Sequence, residues 1–524
     1  MNFAHLIDNH DADTVALVSA GRATTYGELR AQVQQLRGGL AGLGVVPGDR
    51  VAIVCSNGRP FVVAYLAVLG LGAVAVPLNP TSPAPELQRE LVVVEPVVAV
   101  VDAAASTTWQ AIDHGVLTSL RTVIAVTPAG GDEMPDAVSF ESLVAGDPTS
   151  VEGDPAGSAG AAGAAGAAGA AGAAEVADVP ADTVAALMFT SGTAGSPQAA
   201  MLTHGNLLAN IEQGLSAGAH IDASDVVYGV LPLFHIFGLN VVLGLSLYCG
   251  ATVVLVQRFD PTTALETIRE RGVTVMPGAP PMWLSFSTFD TAPADSFATV
   301  RLALTGAAKM PEEALLRLEQ RFGLSVAEGY GLTEASPIVT SSAGLPVKFG
   351  SVGKVLAGID VRLVDESGDD VLAGDAGEVW VKGPNVFAGY WREPDRTAKV
   401  LSADGWLRTG DIATVDDEGY LYLVDRVKDL IIVSGFNVYP AEVEQVIVEH
   451  PGVAEVGVIG VPHPHDGEAV KAFVVCAPGV HLDEEQLISW CRGRLARYKC
   501  PSKFVFVDTL PRNVSGKLLR YTLA

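Results

Sequence analysis

Long apolar runs alternate with amphipathic stretches through the first three hundred residues. Phe61 to Leu78 and Val230 to Val256 are apolar enough to pass for membrane spans, and His235 is the only side chain in the second with a near-neutral pKa. Each run divides at glycine. Gly70 and Gly72 separate a helical segment from Ala73-Val-Ala-Val76 before Pro77, and Gly250 separates Leu239–Tyr248 from Thr252-Val-Val-Leu-Val256. Both read as a buried helix followed by a buried strand, the pattern of a parallel sheet covered on both faces. Upstream, Thr25 is placed to cap a helix over Tyr26–Leu43, followed by a strand at Arg50–Cys55, and this alternation continues to about residue 310.

The texture changes after residue 340. Short strands with turn signals, such as Val361-Arg-Leu-Val364 and Gly377-Glu-Val-Trp-Val-Lys382, predict a β-rich subdomain over about 340–424. Beyond the charged segment Asp425-Arg-Val-Lys-Asp429, helices over Ala441–Glu449 and Glu484–Ala496 and strands over Val453–Val461 and Ala472–Cys476 predict a compact α+β unit. The fold class is α/β: a large N-terminal domain (1–427) of α/β layers with the β-rich subdomain, then a small α+β C-terminal domain (428–524). Five Gly-Ala-Ala triplets at 160–174 break the pattern and read as a flexible surface insertion over about 156–174.

A chain of 524 residues exceeds what one core usually organises, and 49% apolar residues suffice for globular burial. The net charge of −26 argues against a nucleic-acid-binding surface, so an anionic substrate has to be met by a local cationic or N–H-rich site. The five scattered cysteines show no metal or redox spacing and suit a reducing compartment. Met1 to Asp13 has neither the basic segment nor the apolar block of a signal peptide. The expected location is cytoplasmic, without a transmembrane segment and with room for peripheral membrane contact.

Five segments carry candidate chemistry. Leu187 to His204 is an apolar strand that breaks into a loop of hydroxyls and glycines; Thr190, Ser191, Gly192 and Thr193 offer donors suited to phosphate oxygens, though such a cluster also makes a plain turn. In Glu328-Gly-Tyr-Gly-Leu-Thr-Glu334, Gly329 and Gly331 let Tyr330 lie beside a ligand ring, Thr333 can donate to phosphate and Glu334 offers an oxygen to Mg²⁺. Trp406-Leu-Arg-Thr-Gly-Asp411 places an acid at a strand end, suited to ribose hydroxyls or to capping a turn. Asp425 to Glu444 is the fourth segment, and Pro511-Arg-Asn-Val-Ser-Gly-Lys517 presents a lysine on a glycine turn.

In this order and spacing the five segments resemble the adenylate-forming superfamily of acyl- and aryl-CoA synthetases, luciferases and peptide-synthetase adenylation domains, over nearly the whole chain. The resemblance implies an acid–thiol ligase in two half-reactions: carboxylate and ATP give acyl-adenylate and pyrophosphate, then coenzyme A displaces AMP. It assigns Thr190, Ser191, Gly192 and Thr193 to the phosphates, Tyr330 to adenine, Thr333 to the α-phosphate, Glu334 to Mg²⁺, Asp411 to the ribose and Arg426 to ribose or phosphate. Lys517 bridges the attacking carboxylate and the α-phosphate. The small domain pivots at Lys428 between half-reactions, exchanging the Lys517 loop for the Gly435 region, which lines a pantetheine tunnel.

Leu231-Pro-Leu-Phe-His-Ile-Phe-Gly238 resembles the ligase segment in which His235 walls the carboxylate site, and Gly306, Ala307 and Ala308 offer small uncharged walls. These favour an apolar, fatty acid over an amino acid. The loop departs from the family pattern Thr-Gly-x-Pro-Lys-Gly at Ala194, Gln198 and Ala199, and the missing lysine predicts slowed adenylation or weaker ATP binding. Two other functions fit: an acyl-adenylate ligase that loads an acyl carrier protein, and a non-catalytic nucleotide-binding relative.

Overall fold

The computed structural model describes residues 2–126, 134, 136–145, 175–191, 197–218, 220–307, 310–365, 367–426, 431–438, 440–511 and 523. The Gly-Ala-rich insertion expected over about 156–174 and the boundary expected at Lys428 lie outside them. A reciprocal cap opens the first long helix: the Thr25 hydroxyl accepts from the Glu28 N–H, and the Glu28 carboxylate accepts from the Thr25 N–H. Helix Tyr26–Gly42 buries Tyr26, Leu29, Val33, Leu36 and Leu40 on one face. It packs on Arg59–Gly70, which is enclosed from Phe61 onward and therefore apolar on every side.

Among the described residues the strands form four sheets. Arg50–Val54, Val74–Pro77, Val98–Asp102 and Val184–Ser191 run parallel in a seven-stranded sheet, and Pro197–Thr203 returns antiparallel at its edge. A nine-stranded sheet carries the parallel strands Val226–Gly229, Thr252–Leu255, Val275–Gly278, Leu302–Thr305 and Val326–Gly331. The last two end at the segments around Gly306 and Thr333, where open α/β sheets place ligands. Asp360–Val364, Gly377–Lys382, Leu407–Val415 and Leu421–Arg426 form the expected antiparallel sheet. In the C-terminal unit, helices Pro440–Val448 and Glu484–Arg492 accompany a five-stranded sheet. No helix of the described residues is long and apolar enough to cross a membrane. All five cysteines are free.

Two helices differ from expectation. The segment expected as a helix over Leu239–Tyr248 winds as a π-helix over Phe237–Gly244 before an α-helical turn, Leu245–Cys249. The wider winding brings Gly238 so close to Pro232 that a Cβ there would sit 2.1 Å from its carbonyl oxygen. The helix expected to reach Ala496 stops at Arg492, where Gly493 caps it and a short 3₁₀ turn, Arg497–Lys499, follows.

That turn docks the C-terminal unit on helix Ala84–Val94. The Lys499 ammonium donates to Glu86 at 2.6 Å and to Glu442 at 2.9 Å, while the Ala496 N–H donates to Glu86 at 2.7 Å. All three charged side chains are buried. With Arg89 and Glu90 alongside, three carboxyl groups face two cations, so ionisation of all three would leave one negative charge in excess. Burial, then the charge of Glu86, pushes the Glu90 carboxyl up to about 8.

Lys499→Ala leaves two buried carboxylates without their cation and is expected to cost about 3–5 kcal/mol in urea unfolding. Because the folded pKa of Glu90 lies above its ordinary value of 4.5, stability should fall as pH rises from 4.5 to about 8. Glu90→Gln should flatten that part of the profile; an unchanged slope assigns the pH dependence elsewhere.

Candidate active site

A cavity of about 370 Å³ opens beside the carboxyl ends of Leu302–Thr305 and Val326–Gly331. Its polar lining is built by close approaches of backbone. A Cβ on Gly331 would lie 2.2 Å from the Pro337 carbonyl oxygen, so only glycine lets the strand turn there into the short helix Thr333–Ala335. Asn240, buried in the π-helix, donates to the Ser336 carbonyl at 2.7 Å and fixes the far side of this turn. Glu334 then faces Tyr390, whose hydroxyl donates to its carboxylate at 2.7 Å.

Tyr330 is buried, and its hydroxyl donates to Asp411 at 2.7 Å. The structure corrects the placement of Asp411: it lies mid-strand in Leu407–Val415, not at a strand end. Gly410 adopts φ +75 there and donates to Glu378, and the Asp411 N–H donates to the Thr409 hydroxyl. This left-handed kink accompanies an 8% exposed carboxylate at the cavity wall, and the ladder shifts register on both sides of it. Arg426 pairs with Asp411 across the ladder of these consecutive strands.

Val241, Leu304, Ala327 and Ile338 add apolar surface to the cavity lining, together with the small residues Gly306 and Ala307. His235 borders it. Asn57 holds the His235 loop by donating to the Leu231 carbonyl and accepting from the Leu233 N–H, both at 2.9 Å. The His235 Nδ1 accepts from the Phe237 N–H at 3.2 Å, which leaves the ring proton on Nε2. Burial holds this imidazole down to about 4, so it is neutral at physiological pH.

The C-terminal unit completes the wall. Gly435, at φ +82, turns between strands Ile431–Val433 and Phe436–Val438; a Cβ on it would meet the Ala307 Cβ at 3.4 Å. Phe436 sets its edge against His235 with ring centres 5.9 Å apart, and Tyr498 stacks on Phe436 at 4.3 Å. A second cavity of about 90 Å³ lies at this contact, lined by Thr190, Phe436 and Lys499. His235 and Thr333 line both cavities.

The structure thus gathers His235, Gly306, Ala307, Gly329, Tyr330, Gly331, Thr333, Glu334, Asp411 and Gly435 around one cavity, with Thr190 at the adjoining one. Gly192, Thr193, Ala308, Lys428 and Lys517 lie outside the described residues; Ser191 and Arg426 are placed by backbone alone. Sequence reasoning missed Tyr390 and the Lys499 cluster. Tyr390 carries a local signal in Phe387-Ala-Gly-Tyr-Trp391, an aromatic turn around Gly389, whereas Glu86 and Lys499 are 413 residues apart. A triphosphate nucleotide and Mg²⁺ fit the polar lining: it offers a buried carboxylate at Asp411, a second at Glu334, and a glycine-only turn that admits close approach.

Comparison with known proteins identifies the family of this chain. The AMP-binding enzyme profile matches residues 3–391, and the profile of the AMP-binding enzyme C-terminal domain matches residues 442–517. A feruloyl-CoA synthase of Amycolatopsis sp is 38% identical over 509 residues, covering 96% of this chain and 94% of its own. A long-chain-fatty-acid–CoA ligase of Bacillus subtilis (strain 168) is 32% identical, covering 98% of this chain and 91% of its own. A double mutant of o-succinylbenzoate CoA synthetase from Bacillus subtilis, solved with its product analogue OSB-NCoA, superposes with a TM-score of 0.82 at 29% identity, covering 100% of this chain and 98% of its own. The chain belongs to the AMP-binding, adenylate-forming enzyme family.

Proposed function

We propose that this chain is an ATP-dependent acid–thiol ligase that converts an apolar carboxylic acid to its acyl-adenylate and passes the acyl group to coenzyme A. The observation that carries the reading is one cavity whose lining combines the polar side chains of Thr333, Glu334 and Asp411 with the apolar ones of Val241, Leu304 and Ile338. The carboxylate of the acid meets the α-phosphate inside this cavity. Asp411 accepts from the ribose hydroxyls, Thr333 donates to the α-phosphate and Tyr330 packs beside adenine. Glu334 would hold Mg²⁺, which would supply charge to neutralise the phosphates. His235, neutral and walled by Phe436, bounds the carboxylate site without adding charge.

The position of Gly435 supports thioester formation as the second step, because it brings the C-terminal unit to the cavity wall through the small residues Ala307 and Ala279, with no bulky side chain in between. Pivoting at Lys428, between a domain over 1–427 and one over 428–524, brings Lys517 in for the first step. A fatty acid is the proposed substrate, supported by the apolar lining and by the fatty-acid ligase relative. An arylpropenoic acid is the second reading, favoured by the feruloyl-CoA synthase relative.

Purified protein given ATP, Mg²⁺ and a panel of fatty and arylpropenoic acids should release pyrophosphate, and should form the acyl-CoA when coenzyme A is added. Adenylate without acyl-CoA points to a carrier-protein acceptor, and no adenylate with any acid points to a nucleotide-binding relative. Lys517→Ala should stop adenylate formation yet leave thioester formation from supplied acyl-AMP intact. Equal loss of both steps removes Lys517 from the proposed role.

A further inference from the structure

The cavity wall includes the carboxylates of Glu328, Glu334 and Asp411, and at the loop strand beside them stands Gln198, a buried and uncharged amide. A bound triphosphate adds negative charge to an already acidic wall. Departure of pyrophosphate from the α-phosphorus therefore calls for a cation on the phosphate side of the cavity, preferably one with little water around it.

Among the described residues three cationic side chains line the cavity: Arg396, Lys399 and Arg408. Lys399 and Arg408 are exposed, and Arg408 lies over the Trp380 ring at 4.7 Å. Arg396 is different. Its Nε pairs with Glu393 at 2.8 Å, which orients the guanidinium, while its Nη1 is buried and has no hydrogen-bond partner. A buried N–H left without an acceptor costs free energy, and the arginine side chain, 29% exposed at the cavity wall, is still open to an incoming anion.

The backbone explains how this arginine reaches the loop strand. Segment 388–391 runs beside Pro197–Thr203: the Trp391 N–H donates to the Ala199 carbonyl at 2.8 Å, and Gly389 and Ala388 bond with Met201 at 2.9 Å. The Tyr390 N–H donates to the Thr397 hydroxyl at 2.9 Å, tying the helix Pro394–Val400 that carries Arg396 back to this segment. Tyr390 also holds Glu334. Gln198, Glu334 and Arg396 are thus held at one cavity by a single set of backbone and hydroxyl contacts.

We propose that Arg396 supplies the cation for the β- and γ-phosphates that residue 198 does not. This rests on the reading of the cavity as an ATP site. As the acid's carboxylate oxygen bonds to the α-phosphorus, the bond from that phosphorus to the bridging oxygen breaks and pyrophosphate leaves with the electron pair. Arg396 donates hydrogen bonds to its non-bridging oxygens and transfers no proton. The planar fork of a guanidinium suits two phosphate oxygens at once. The slowed adenylation expected from Gln198 alone is then offset from a different segment.

The test uses the full chain with Mg·ATP and dodecanoate or ferulate, whichever the wild type turns over. Arg396→Gln should lower kcat/KM for ATP in pyrophosphate release on the order of tenfold to a hundredfold and weaken Mg·ATP binding in calorimetry. Thioester formation from supplied acyl-AMP and coenzyme A should keep its wild-type rate, and Arg396→Lys should recover part of the loss. Gln198→Lys should restore most of the activity in the Arg396→Gln background and add little to the wild type. Unchanged ATP binding in Arg396→Gln, equal loss of both half-reactions, or the same gain from Gln198→Lys in both backgrounds overturns the inference. A wild type that releases no pyrophosphate with any acid overturns the ATP-dependent reading itself, an outcome distinct from these.

Discussion

Lys499 lies between Glu86 and Glu442 with almost no water around it, and the position of each C-terminal group at the cavity follows from that contact. Tyr498, next in sequence, stacks on Phe436; Phe436 sets its edge on His235; Gly435 settles against Ala307. A chain of ring contacts therefore links a buried ion cluster to the imidazole at the cavity wall. Buried ion pairs add little net stability compared with apolar packing, but they are exacting about geometry. Here a third carboxyl group, that of Glu90, makes the contact conditional as well, because its ionisation adds charge to an interface that already holds two anions.

The cavity itself is a product of the nine-stranded sheet and of tight turns at its carboxyl edge. Parallel strands ending at Thr305 and Gly331 deliver their loops to the same place, and the buried Asn240 and Asn57 side chains hold the neighbouring segments where those loops need them. Two antiparallel elements finish it. The hairpin that contains Gln198 and the kinked strand that contains Asp411 both reach the cavity, so its polar lining is assembled from four separate parts of the chain.

Local signals made much of this legible in advance. The Thr25–Glu28 cap, the glycine-divided apolar runs and the short strands after residue 340 follow from nearest-neighbour chemistry, and the structure has the elements they predict. Gly329, Gly331 and Gly435 were readable because a conformational requirement leaves a residue-type mark. The mid-strand position of Asp411 was not, since a kink at Gly410 and a bend between strands look alike in sequence. Nor was the pairing of Glu86 with Lys499, which depends on how two separately folded sheets meet. Arg396 carried no mark either: its distinction is a nitrogen without a partner, visible only once its surroundings exist.

His235 and Thr333 belong to both cavities, so the two chambers are separated by little more than an imidazole and a hydroxyl. In the proposed reaction this makes the site an airlock. The adenylate rests beside His235 while the thiol enters past Gly435, and an uncharged ring offers water few reasons to gather between the two chambers. Loss of the activated acyl group to hydrolysis is then governed less by the reactive bond than by the fit of one side chain against Phe436.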